Sequence, residues 1–311
     1  MSTFEICYYI FYDFKKEYTM KLNQYFSFIL SILIISIFSW AFYTSSGFFL
    51  QKEKQQKTYT IGLLVMATGQ QYLEAAKRMI ESAQVHFCKN HKVNYFVFTD
   101  STIDLPRNTV TLYQKQMGWP YDSMMRFATY HKYRDHFKEC DYLFSCDADM
   151  LFVDDVDDEI LGDLVATIHP QVRFRPRGYE HNPISTAHMH RAHGTHYFAG
   201  AFYGGTQKEF LKLISIAQEN INIDLARGYI ARVNDESHLN HYFAYNRPKI
   251  ILGPEYCHFE HWKSPYKPKL VALSSLDVNK RFMRKKASYN PLEYYVNLLK
   301  SEFDANSSNR I

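Results

Sequence analysis

Between Lys21 and Lys52 the chain carries no charged side chain, and residues 25–43 are apolar except for Ser27, Ser31, Ser36 and Ser39. A run of about 20 such residues spans the core of a bilayer as a helix. Serines are tolerated in it because they bond back to helix carbonyls. Tyr25 and Phe26 at one end, and Trp40, Phe42 and Tyr43 at the other, make the aromatic belts of a membrane interface. The pattern predicts a transmembrane signal-anchor over 25–43, in contact with the lipid bilayer, behind a short cytoplasmic tail, 1–24. A cleaved signal peptide beginning at Met20 is the alternative, since Thr44, Ser45 and Ser46 follow, but the run is long for one. Lysines flank both sides, so charge bias does not set the orientation.

After a short polar stem, 44–58, the periodicity changes. Residues 60–67, apolar after Thr60 except at Gly62, predict a core strand, followed by a Gly69 turn. Leu73, Ala76, Met79, Ile80 and Ala83 recur at helical spacing over 72–87. A second strand is expected over 93–99, a helix over 124–137, and a buried strand over 142–146. Strand and helix alternate, which predicts an α/β domain with a largely parallel sheet, occupying 59–290 ahead of a C-terminal tail, 291–311. Residues 174–196 read as a loop. Residues 197–203 form an aromatic and small-residue element ending in Gly204-Gly205, where backbone can approach a ligand closely. Residues 207–220 read as an amphipathic helix, and Asp235 reads as the N-cap of another, with His238 and Leu239 turned inward.

Composition narrows the class without naming it. The 311 residues, 46% hydrophobic, suffice for one large α/β domain beside the membrane segment. A net charge of +4, with no basic stripe interleaved with aromatics, gives no reason to expect a nucleic-acid partner. The five cysteines lack zinc spacing, and disulfides among the last four stay open. His169, His181, His188, His190, His193 and His196 also fit no zinc site, and read as scattered loop histidines. There is no Gly-x-Gly-x-x-Gly and no Walker loop, so phosphate would be gripped by metal, Arg or Lys.

The chemistry concentrates in two acidic motifs about ninety residues apart. Asp147-Ala148-Asp149 follows the strand 142–146, and residues two apart in extended chain point the same way. Two such carboxylates can converge on one hard cation, Mg2+ or Mn2+ rather than zinc. Such a cation can grip a diphosphate, and the downstream Asp235-Glu236-Ser237-His238-Leu239-Asn240 offers a separate carboxylate to act on a sugar carbon. That is the layout of a nucleotide-sugar glycosyltransferase. Each motif alone also fits a bland reading, a solvated turn for the first and a helix start for the second.

With Thr60-Ile61-Gly62-Leu63, Tyr95-Phe96-Val97-Phe98-Thr99-Asp100, Asp141-Tyr142-Leu143, His169-Pro170, residues 197–205, 235–240 and Pro254-Glu255-Tyr256-Cys257, the chain resembles glycosyltransferase family 6. This family holds the retaining α1,3-galactosyl and α1,3-N-acetylgalactosaminyl transferases, including the blood group A and B enzymes and the Forssman synthase. The resemblance implies a GT-A-type fold, a Rossmann-like, mostly parallel sheet flanked by helices. It implies a single-pass type II protein with its catalytic domain in the Golgi lumen if eukaryotic, and Mn2+ as cofactor, with Mg2+ the alternative, held by Asp147 and Asp149. Met66, Ala67, Thr68 and Tyr72 stand where uridine is held; Arg126 and Ala148 lie at the donor and metal motif; Arg284 matches an arginine that closes over the diphosphate. Ala199, Gly200 and Ala201 occupy the triplet that helps choose between UDP-Gal and UDP-GalNAc. Glu236 stands beside the anomeric carbon, Asp235 adjoins the donor sugar, and His169, Val233 and Glu236 face a galactoside acceptor on a glycan or glycolipid. Four positions depart from the family: Val233 replaces a tryptophan, Asn234 a histidine, Gly178 a threonine and Val278 a lysine. The competing expectations are a transferase of another UDP-hexose and a membrane-anchored sugar-binding protein without turnover.

Overall fold

The computed structural model describes residues 3–50, 57–171, 178–190, 194, 196–273 and 290–308. The chain divides into two units, Met1–Lys57 and Thr58–Ile311. Among its described residues the first holds one helix, α1 (Thr3–Leu50). Its segment Tyr18–Trp40, 23 residues, is long and apolar enough to cross a membrane, about 34 Å at the α-helical rise. All its side chains are exposed, and an apolar face with nothing packed on it fits membrane anchoring. Ser31 and Ser36 donate to the carbonyls of Phe28 and Leu33 at 2.7 and 2.8 Å, so their hydroxyls are satisfied within the helix.

The second unit runs β1 (Thr60–Met66), α2 (Gln70–His86), β2 (Lys92–Thr99), β3 (Thr109–Tyr113), α3 (Tyr121–Met124), α4 (Arg126–Lys132), β4 (Tyr142–Cys146), β5 (Met150–Phe152), β6 (Leu164–Ile168), β7 (Phe198–Thr206), α5 (Gln207–Ala226), α6 (Asn234–Tyr245), β8 (Ile250–Leu252), β9 (His258–Phe259), β10 (Leu270–Ala272) and α7 (Pro291–Ser308). Seven strands form one sheet in the order β3-β2-β1-β4-β7-β6-β8. The sheet is mixed. β1 to β4 pair in parallel and so do β6 and β8, while β7 runs antiparallel to β4 and β6. Alternating residues of β1 feed the two faces: Ile61, Leu63 and Val65 pack towards α2, and Leu64 packs towards α3 to α6. A small sheet, β5-β10-β9, extends the chain past Asp149.

Two expected elements change on folding. The single helix over 124–137 is broken into α3, α4 and a 3-10 turn, Arg134–Phe137. Met125 and Tyr133 lie near ψ of 11° and 15°, off helical geometry. Met124, Phe127, Tyr130 and Phe137 still pack in one cluster across both breaks, so the apolar spacing reads as unbroken. Asp235 is not the N-cap of α6. The helix begins at Asn234, and the N–H of Val233 donates to Ser237 Oγ at 2.9 Å. Asn234 takes a positive φ of 43°, a conformation asparagine tolerates better than most side chains. The amphipathic helix at 207 runs on to Ala226, and the element at 197–203 is the interior strand β7.

Candidate active site

β1 is followed in space by β2 on one side and β4 on the other, so the sheet has its topological switch point between β1 and β4. Ligands of open α/β sheets bind past the carboxyl ends of strands at such a point. A cavity of about 390 Å³ lies there. Its lining comes from the end of β1 (Met66, Thr68), the start of α2 (Gln70, Tyr72), the segment around α3 (Gln116, Trp119, Ser123), and Arg126, Asp147, Ala148 and Asp149.

Arg126 organises one end of this cavity. Its guanidinium is buried, and Nη1 donates to Asp147 Oδ1 at 2.8 Å and to the Gly200 carbonyl at 3.2 Å. Nε lies 3.0 Å from Asp235 Oδ2, and Asp235 Oδ1 accepts from Ser123 Oγ at 2.8 Å. Burial opposes the arginine's charge, but Asp235 and Asp147 outweigh it and hold the guanidinium well above its ordinary value. Burial also raises Asp235 above the usual carboxylate range, against the pull of Arg126 and Ser123.

Glu236, the next residue, is held at both oxygens. The Gly200 N–H donates to Oε2 and the Tyr197 hydroxyl to Oε1, each at 2.7 Å. Burial pushes its carboxyl up to about 7, although both donors favour the charged form. Gly200 reaches Glu236 because β7 slips against β6: Ala166 pairs with Tyr203, but Thr167 pairs with Ala199. The residues between leave that ladder, as at a bulge, and the Gly200 N–H is turned to α6. Asn240 fixes the same junction. Its Oδ1 accepts from the Phe198 N–H at 2.7 Å, and Nδ2 donates to the carbonyls of Phe198 and Glu236 at 2.8 and 2.9 Å.

Asp147 and Asp149 both line the cavity, and Arg126 engages one oxygen of Asp147. Among the described residues no third Asp, Glu, His or Cys joins them. Two hard oxygen donors fit Mg2+ or Mn2+, which take their remaining ligands from phosphate and water.

The other expected residues divide. Met66, Thr68, Tyr72 and Ala148 line the cavity, whereas Ala67 is fully buried, its N–H donating to the Phe98 carbonyl. Ala199 is 2% exposed; Ala201 accepts from the Asp147 N–H at 2.9 Å, which seats the triplet beside the acidic pair. His169 lies against Tyr197, with ring centroids 5.8 Å apart, and burial lowers it to about 4, so it is neutral near pH 7. Val233 caps α6, two residues before Asp235. At Gly178 a Cβ would meet the Tyr197 ring at 2.5 Å, so no side chain fits while that ring stays in place. Arg284 and Val278 lie outside the described residues. Sequence reasoning missed Tyr197, Ser123, Gln116 and Trp119. Ser123 lies one turn before Arg126 and was findable by helical spacing, whereas no local spacing joins Tyr197 to Glu236.

The family model of glycosyltransferase family 6 matches residues 37–285. Globoside alpha-1,3-N-acetylgalactosaminyltransferase 1 of Gallus gallus is 34% identical over 239 residues, 72% of this chain and 69% of its own length. Histo-blood group ABO system transferase 2 of Rattus norvegicus is 36% identical over 220 residues, 67% of this chain and 66% of its own. Alpha-1,3-galactosyltransferase 2 of Homo sapiens is 30% identical over 220 residues, 67% and 65%. With a match over most of its length, and with relatives of this kind, the chain belongs to glycosyltransferase family 6 and is a hexosyltransferase.

Proposed function

We propose that the chain moves α-GalNAc or α-Gal from a UDP-sugar to the 3-hydroxyl of a galactoside-type acceptor on a glycan or glycolipid, with retention. The observation that carries this reading is the unbroken line of contacts from Asp147 through Arg126 to Gly200, Asp235 and Glu236. It joins the carboxylate pair that would hold the cation to a carboxylate fixed at both oxygens. Mn2+ (or Mg2+) on Asp147 and Asp149 would supply Lewis-acid stabilisation of the diphosphate leaving group. Arg126 adds fixed positive charge where negative charge develops. Tyr197 and the Gly200 N–H hold Glu236 so that one face of the sugar carbon meets a carboxylate, either as nucleophile or as stabiliser of an oxocarbenium-like species.

Ala199 favours UDP-GalNAc over UDP-Gal, because a small first residue leaves room for the N-acetyl group. Ala201 by itself points toward UDP-Gal, but the small-first, Ala-third triplet resembles the Forssman-type members, and the balance falls to UDP-GalNAc. The preference is narrow, since one methyl group changes selectivity by about 1–3 kcal/mol. On the same reading the domain is of GT-A type, α1 is a type II signal-anchor, the boundaries fall at 1–24, 25–43, 44–58, 59–290 and 291–311, and, if the source is eukaryotic, the domain faces the Golgi lumen.

The test is the detergent-solubilised chain with UDP-GalNAc or UDP-Gal, crossed with β-galactoside acceptors, in Mn2+ and in EDTA. An α1,3-linked product in Mn2+ only, with higher kcat/KM for UDP-GalNAc, is expected. Sugar binding without UDP release would make this a non-catalytic lectin-like protein, and turnover of another UDP-hexose alone would move the donor assignment.

A further inference from the structure

The family model ends at residue 285, and α7 begins at Pro291. This helix packs on α5 and in the same core cluster as α3, α4 and α6. One of its side chains reaches the wall of the cavity. Tyr294 is 6% exposed and its ring stacks on Tyr121, with centroids 4.0 Å apart and planes at 9°. Its hydroxyl donates to Met117 Sδ at 2.9 Å. Tyr121 and Met117 stand on either side of Trp119, which lines the cavity together with Gln116, Asp122 and Ser123.

We propose that Tyr294 is a positioning residue for the nucleotide end of the donor cavity, an inference that rests on the donor reading above. The acidic pair and Arg126 define the diphosphate end, which leaves the nucleotide to the end formed by Met66, Thr68, Tyr72, Gln116 and Trp119. The wall at 116–123 is held at points. Asp122 accepts from the N–H groups of Met117 and Gly118 at 2.6 and 3.0 Å, closing the turn onto α3. Asp100 accepts from Gln116 N at 2.7 Å and from Gly69 N at 2.8 Å, tying the wall to the opposite side of the cavity. Tyr294 supplies the third fixture, from behind, through a stacked ring pair that both orients Tyr121 and excludes water from it. Residues that bind ligand gain affinity when packing already holds them in the bound geometry.

The experiment measures UDP affinity of the full chain in Mn2+ by calorimetry, in detergent, at temperatures below each variant's melting transition. Tyr294→Ala is expected to bind UDP about tenfold more weakly, with kcat at saturating donor kept, because only pre-organisation is lost. Tyr295→Ala is the control. Tyr295 lies on the same helix but lines a separate groove with His131, Asn222 and Arg227, and its loss should leave UDP affinity within about twofold. Tyr294→Phe keeps the ring and should bind like the parent. Tyr294→Leu, which keeps apolar volume without the stacked face, carries the test if the Ala variant does not fold. Parent affinity in Tyr294→Ala or Tyr294→Leu overturns the proposal, as do equal losses in the Tyr294 and Tyr295 variants, or a Phe variant as weak as the Ala one. A parent chain that binds no UDP overturns the donor reading itself and the proposal with it.

Discussion

Both oxygens of Glu236 are occupied by fixed donors before any substrate arrives, so its orientation does not depend on sugar binding. A group of this kind acts through its charge in the transition state, and Glu236→Gln keeps shape while removing charge. Turnover should fall by about 10³-fold with donor affinity largely kept, measured as a kcat loss at constant KM for the UDP-sugar. A change confined to acceptor KM would make Glu236 a binding group. Asp149→Asn should abolish Mn2+-stimulated transfer at a cost of about 3 kcal/mol or more in barrier, while the circular dichroism spectrum stays that of the parent. Transfer at full rate in EDTA would remove the metal from the reaction. At this scale the acidic motifs were legible, because residue type and i, i+2 spacing are properties of the local chain. Tyr197 was not: it meets Glu236 only where β7 passes the first turn of α6.

The junction of β7 and α6 is an element-scale device. Asn240 ties the helix to the strand with two hydrogen bonds, to the N–H and carbonyl of Phe198; its Nδ2 also donates to the Glu236 carbonyl within the helix, and the residue is 2% exposed. Asn240→Ala leaves the buried Phe198 N–H and C=O without these partners, and each such loss costs about 1–3 kcal/mol. The variant should lose about 3 kcal/mol of stability in a urea titration, and kcat should drop with it, since Glu236 hangs from the same turn. Loss of stability with unchanged kcat would show that Glu236 is oriented by Gly200 and Tyr197 alone. The amphipathic spacing made α2 and α5 readable, because each presents one apolar stripe to the sheet. The breaks that separate α3 and α4 were unreadable, because the pieces bury the same side on a shared core and keep the helical apolar rhythm across a non-helical residue.

At the scale of the whole molecule, the core clusters described in Thr58–Ile311 are built from that unit's own residues. Removing 1–57 should therefore yield a soluble enzyme with the donor and acceptor KM of the full chain, checked by gel filtration and steady-state kinetics. Folded but inactive protein would place part of the site in the stem. Stability should also fall in mild acid. His238 is 1% exposed and burial lowers it to about 3, although Asp224 Oδ2 lies 3.5 Å from its Nε2. The native state then binds fewer protons than the unfolded chain between about pH 6.5 and pH 3, so the stabilisation is complete above about 6.5 and is lost as pH falls through that window. From pH 7 to pH 5 this one group should cost about 2 kcal/mol. Urea midpoints of the parent and His238→Leu at both pH values test it, and an equal decline in both would remove His238 as the cause. The α/β alternation, the apolar helix and the two acidic motifs followed from the sequence alone, because periodicity and residue chemistry act over a few neighbouring positions. The assembly of the cavity end was decided only by tertiary structure. Arg126 meets Gly200 across 74 residues and Ser123 meets Asp235 across 112, and those distances close because β7 runs antiparallel beside β4 and slips against β6. No local pattern encodes that register, since it is set by which strands share a sheet and how their side chains pack.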